Sequence, residues 1–245
     1  MIRRLMIVTT ALASVALVGA TTLAMGTAVT GPAEVMEVAD RSATQVVVNP
    51  PPATATARYR VTLTVNWTAV THPGTLPGNA HFSRPVLAVH GAPRAMFGVG
   101  ALASPGIERM AEGGFIDTLS AELNANVQVA SIASAAGIPA PASGSRTFEV
   151  DVDQAFHRIS LVSMLAPSPD WFVGADEATF VNGQWIDTVV VPLGDYDSGT
   201  DSGSGFTSGN ADTQPAQPIS GPRDAAFAAA AAENPFATVT ITRIG

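Results

Sequence analysis

The sequence predicts a mostly β chain, an antiparallel sandwich carrying a few short helices. The run "RYRVTLTVNWT" alternates Tyr59, Val61, Leu63, Val65 and Trp67 with Arg60, Thr62, Thr64 and Asn66, the period of two that buries one face of a strand. Comparable runs recur along the chain, separated by turn-forming residues. Helical periodicity is confined to short segments between the first strand and an acidic one, which favours a sandwich with helical inserts.

The later strands follow from the same pattern. In "TFEVDVD", Phe148, Val150 and Val152 face inward while Glu149, Asp151 and Asp153 share the opposite face. "ISLVSMLA" is apolar at nearly every position, as a strand covered on both sides requires. "ATFVNGQWIDTVVVP" reads as strands on either side of an Asn182-Gly183 hairpin turn. "ATVTITRI" is a further alternating strand. For the helices, Ser104 before Pro105 is a cap followed by a favoured first-turn residue, with Ile107, Met110 and Ala111 on one apolar face. A second short helix is expected from Phe115 to Leu123, where Leu119 and Leu123 lie four apart. The alanine run Ala228 to Ala232 reads equally as a helical turn or a loop, and no internal repeat is evident.

Residues 1–28 have the layout of a secretory signal: Arg3 and Arg4, an uncharged apolar run, then small residues between Ala20 and Ala28. An uncleaved membrane anchor is the competing reading, but alanine, threonine and glycine make the run only mildly apolar. Residues 29–56, with "NPPPATATA", read as an extended, solvated tether, and 57–245 as the folded domain. The chain is therefore expected to be exported, secreted or extracellular, with no stable membrane insertion after cleavage. Cysteine is absent, which removes disulfides, thiolate ligands and a lipid-modified cysteine. A domain of this size has core enough to do without disulfides.

The net charge of −8 falls to about −10 once Arg3 and Arg4 are removed, and every basic side chain is arginine. Without a basic stripe, nucleic acid and anionic membrane surfaces are not expected as partners. Divalent cations are the natural counter-partner, although acidity also serves solubility. Two stretches draw attention. "APSPDWF" holds Asp170 between Pro169 and Trp171, which restrict its direction. "DYDSGTDSG" spaces Asp195, Asp197 and Asp201 among glycines whose carbonyls can turn toward an ion. The acidic face Glu149 to Asp153 offers further oxygens. Turn formation alone also accounts for such aspartates. An EF-hand does not fit, because counting from Asp195 places Thr200 where glycine is required and Phe206 where glutamate is required.

Together these residues resemble a known family. "LVSMLAPSPDWFVGAD" followed by "YDSGTDSGSGFT" is similar to the spondin N-terminal domain, and "YRVTLTVNW", "THP", "HFSRPVLAVH" and "ALASPGIERMAE" fit it in the same order over about Ala57 to Gly245. The family includes many bacterial secreted proteins, and the resemblance implies that this chain is one of them. It also implies a C2-like antiparallel β-sandwich with a bound divalent cation, Ca2+. Its metal-binding aspartates match Asp170 and Asp197. Its third ligand, an upstream acidic residue, aligns with Asp151. A glutamate is usual there, so Asp153 or Glu149 stands as an alternative. The hard oxygen set favours calcium over transition metals.

Other candidates are structural. His72, His81, His90 and His157 form no HExxH pattern, and His90 is expected to serve hydrogen bonding. No G-x-S-x-G elbow occurs, and the sequon at Asn66 lies inside a strand. Two functions are weighed. One is a non-enzymatic, calcium-stabilised recognition or adhesion module for a surface protein or glycan. The alternative is a metal-dependent hydrolase, in which Asp170 and Asp197 hold an ion and Asp151 or Asp201 acts as base.

Overall fold

The computed structural model describes residues 55–73, 76–209, 211–221 and 234–245. The leader at 1–28, nearly all of the tether at 29–56, and the run Ala228 to Ala232 lie outside the described residues. In chain order the elements are β1 (Thr56–Asn66), β2 (His81–Phe82), β3 (Val86–His90), α1 (Pro105–Gly113), α2 (Asp117–Ala125), β4 (Val129–Ser134), β5 (Ser143–Asp153) and β6 (Arg158–Ala166). They continue as β7 (Trp171–Ala178), β8 (Phe180–Val181), β9 (Gln184–Trp185), β10 (Thr188–Leu193), β11 (Asp195–Asp197) and β12 (Ala237–Arg243).

Alternation builds the first sheet. Tyr59, Val61, Leu63 and Val65 are buried on one face of β1, which pairs antiparallel with β5 and β12 so that Val61 lies opposite both Phe148 and Ile241. The strand order is β10-β12-β1-β5. The second sheet runs β11-β7-β6-β3-β4, with β2 also paired to β6, and every pairing is antiparallel. The two sheets enclose one core: Tyr59, Val61 and Val150 from the first, Leu87, Leu161 and Val173 from the second. The predicted β-sandwich is the observed architecture.

The helices are more than inserts. They form a third layer on the outer face of the second sheet, where Ile107, Met110, Leu119 and Leu123 pack against Val86, Ala88, Val162 and Met164. That explains why β6 is apolar at almost every position: Leu161 and Leu165 face the sandwich core while Val162 and Met164 face the helices.

Ser104 caps α1 as its position predicts. Its Oγ accepts from the Ile107 N–H at 3.2 Å and donates to Glu122 Oε2 at 2.6 Å, while Glu122 Oε1 accepts from the Gly106 N–H at 2.8 Å. A residue of α2 therefore completes the N-terminus of α1. Ser104→Ala is expected to cost about 1 kcal/mol, a fall in melting temperature of roughly 2–4 °C for a domain this size. A thermal melt checks it, and an unchanged melt would mean that Glu122 alone satisfies the cap.

Helix α2 begins at Asp117 rather than at Phe115. Gly114, with φ of 70°, ends α1 in the left-handed region, and Phe115 is left 59% exposed. The Asn182-Gly183 turn forms as expected, both residues having positive φ (52° and 78°), as a tight hairpin turn demands. The paired strands β8 and β9 are only two residues each, and the valine-rich run joins the first sheet as β10. β4, built from "VASIAS", carries no strong alternation because it is a partly exposed edge strand beside β3.

Candidate metal centre

The connection from β6 to β7 is Pro167, Ser168, Pro169 and Asp170. The Ser168 hydroxyl accepts from the Trp171 N–H at 3.1 Å, tightening the turn, and Asp170 is left fully buried. Asp170 Oδ2 accepts from the backbone N–H of Thr200 at 2.8 Å and of Asp201 at 3.0 Å, and from the Ser198 hydroxyl at 3.0 Å. Its other oxygen, Oδ1, is equally buried and has no hydrogen-bond partner among the described residues. One half of the carboxylate organises a loop; the other half is unpaired.

That loop follows β11, whose antiparallel pairing sets Asp197 opposite Trp171 and so beside Asp170 in the chain. Asp197 and Ser220 exchange two backbone hydrogen bonds, at 2.9 and 3.0 Å, and Asp197 Oδ1 accepts from the Gly199 N–H at 2.8 Å. Gly199 has φ of 75°, and a Cβ there would stand 2.2 Å from the Gln217 carbonyl oxygen, so only glycine fits the turn. The next acid, Asp201, is almost fully buried and spends both oxygens on the N–H groups of Gly203 and Ala211.

Helix α1 brings Glu112 to the same place. Burial is the main cause that raises its pKa, a hydrogen bond from Thr200 opposes it, and the charges of Glu108, Asp201 and Asp212 add to the rise. The loop cluster is thus an anionic, oxygen-rich environment around a buried carboxylate with one unpaired oxygen. Such an arrangement suits a hard divalent cation. Among the described residues, however, no three His, Asp or Glu side chains are gathered closely enough to form an ion site by themselves.

Asp151 does not join Asp170 and Asp197. Its neighbours Val150 and Val152 face the core, so strand alternation turns Asp151 to the outer face of the first sheet. There its side chain is 74% exposed, 3.6 Å from Arg58. The alternatives on that strand are also committed elsewhere. Glu149 pairs with Arg58 at 3.3 Å and Arg60 at 2.9 Å, and Asp153 Oδ1 accepts from the Ala155 and Phe156 N–H groups. Conversely, the roles of Ser198, Thr200 and Glu112 went unread in the sequence. The Asp197 to Asp201 spacing around Gly199 hinted at the loop, but nothing local to α1 points to Glu112.

A serine and a histidine also meet, and their geometry is structural. His90 Nδ1 donates to the Ala92 carbonyl at 2.8 Å, so Nε2 accepts the Ser160 hydroxyl at 2.7 Å. Both residues are fully buried, with no surface for a substrate. Burial is the main cause that lowers the His90 pKa, holding the ring neutral.

Fold and site together define a class: a helix-backed antiparallel sandwich with a carboxylate-centred loop cluster at the start of one strand. The Spondin_N family model matches residues 57–243, and the chain belongs to that family. It is similar to Spondin-1 of Mus musculus, 32% identical over 176 residues, which cover 68% of this chain and 22% of that protein. It is similar also to Spondin-2 of Homo sapiens, 32% identical over 171 residues (66% of this chain, 51% of that protein). Spondin-2 of Rattus norvegicus is 33% identical over 167 residues (65% and 50%). The chain thus spans about half, or less, of the length of these relatives.

Proposed function

We propose that this protein is an exported, extracellular recognition or adhesion module that acts by binding, with Ca2+ held at the Asp170 loop. The observation that carries the calcium reading is the buried Oδ1 of Asp170, a carboxylate oxygen with no donor in an anionic cluster. A buried charge in that position calls for a counter-charge. Asp170 and Asp197 supply carboxylate oxygens, and backbone carbonyls and water complete the six to eight that calcium takes. Asp151 is left out because its side chain lies on the outer face of the other sheet. Bound calcium would neutralise the carboxylates. Asp170 would go on holding the 198–201 loop through Oδ2, presenting that end of the sandwich to a surface protein or glycan.

Membership of the spondin N-terminal family supports the extracellular reading and the binding role. Among the described residues no helix is long and apolar enough to cross a membrane. The hydrolase reading gains nothing from the Ser160 and His90 pair, which no substrate reaches.

Calcium titrated into the chelated full chain is expected to raise its melting temperature. At a hundredfold excess over Kd the stabilisation is about 2.7 kcal/mol, or roughly 5–10 °C, and Asp197→Asn should remove most of it. No shift in the native chain would refute the site.

A further inference from the structure

A cavity of about 370 Å³ opens toward the other end of β7. It runs along β7 from Gly174 to Glu177 and has Tyr196, the residue before Asp197, in its wall; Glu177 itself is seven residues beyond Asp170, roughly 23 Å along the strand at the usual rise. β11 covers β7 only as far as Val173. Among the described residues no strand pairs with that edge from Gly174 onward, and the cavity forms between it, the loop at 93–99 and the β10 residues Val191 and Pro192.

The wall is aromatic. The Phe97 ring lies on Gly174, where a Cβ would stand 2.6 Å from its Cζ, and meets Tyr196 edge-on at 5.2 Å. The charges are unequally matched. Asp176 is fully engaged: the Arg158 guanidinium approaches it at 2.9 Å and the backbone N–H of Arg94 donates to it at 2.7 Å. Glu177, the next residue, also lines the cavity, and its carboxylate makes no hydrogen bond or ion pair among the described residues. Burial first, then the Asp176 charge, raise the Glu177 pKa, with Arg158 opposing. Arg94 also lines the cavity, but its stem rests against Gly98 and it forms no ion pair with Glu177 among the described residues.

A cavity of this size with a mixed polar and apolar lining, two rings on one wall and a carboxylate that no cation pairs among the described residues has the parts of a small-ligand site for a cation. We propose that it binds a primary ammonium group on a short aliphatic stem, with Glu177 as counter-ion and the Phe97 and Tyr196 rings against the stem. An anion would meet Glu177, whereas an alkylammonium satisfies both the charge and the rings. The proposal is independent of the calcium reading, because it uses none of the same side chains.

The test is titration of the full chain, followed by NMR or calorimetry at low salt, with n-butylammonium, Nα-acetyl-lysine methylamide, butyrate and pentan-1-ol. Saturable binding of an ammonium probe, absent for butyrate, is expected. It should weaken at least tenfold in Glu177→Gln while the melting temperature and any calcium response stay unchanged. The tighter of the two ammonium probes tells whether a free amine or a lysine side chain is the better occupant. No saturable binding, equal binding of pentan-1-ol, or undiminished binding by Glu177→Gln would overturn the proposal.

Discussion

Asp170→Ala is expected to destabilise the fold by about 3 kcal/mol, because two buried N–H groups, those of Thr200 and Asp201, lose their acceptor at about 1–3 kcal/mol each. The Ser198 hydroxyl loses less, since it also lies 2.7 Å from the Thr200 hydroxyl. A competing effect has the opposite sign: the substitution removes a buried carboxylate whose Oδ1 is unpaired, which relieves desolvation. The donors should win, because they are main-chain groups held in place by the loop and cannot turn away. In a thermal melt the expected loss is roughly 6–12 °C. Asp170→Asn keeps an acceptor of the same shape and should lose less. A melt within about 2 °C of the parent for Asp170→Ala would mean that water satisfies these amides and that the loop is not organised by Asp170.

Trp67→Ala is expected to cost about 3–5 kcal/mol, the range for emptying a large aromatic site in a packed core. Trp67 follows β1 and is fully buried, with its ring 4.9 Å from Phe206, 5.4 Å from Phe236 and 6.2 Å from Phe82. Phe206 in turn lies 4.9 Å from Trp171, the residue after Asp170. The aromatic cluster therefore supports the acidic loop from beneath, and its loss should loosen the loop as well as the core. Urea unfolding measures the cost, and Trp67→Phe, which keeps part of the contact, should lie between. If Trp67→Ala cost under about 1 kcal/mol, collapse of the neighbouring rings would have filled the space.

The strands were legible because burial alternates along them. Tyr59, Val61, Leu63 and Val65, or Phe148, Val150 and Val152, announce which face meets the core before any partner is known. Ser104 and Pro105 announce a helix start for the same reason, since a cap is a relation between residues three apart. The alternation that made β5 readable also carried the answer for Asp151. An acid set between inward-facing valines points away from the core.

Sequence alone thus determines the class of fold, the faces of the principal strands, and two unusual acidic stretches that match one family. Those features are local or carried by contiguous motifs, and they survive without knowledge of what lies opposite. Only the folded chain decides which acids meet. Asp170 and the 198–201 loop come together through the β7 to β11 pairing, and Glu112 arrives from a helix layered on the outer face of the sheet. The unmatched Glu177 depends on β11 pairing with β7 only as far as Val173, on Phe97 covering Gly174, and on Arg158 being taken by Asp176. Charge pairing and burial are properties of neighbours in space. Residues that are remote in the chain set them, and no spacing in the sequence records that encounter.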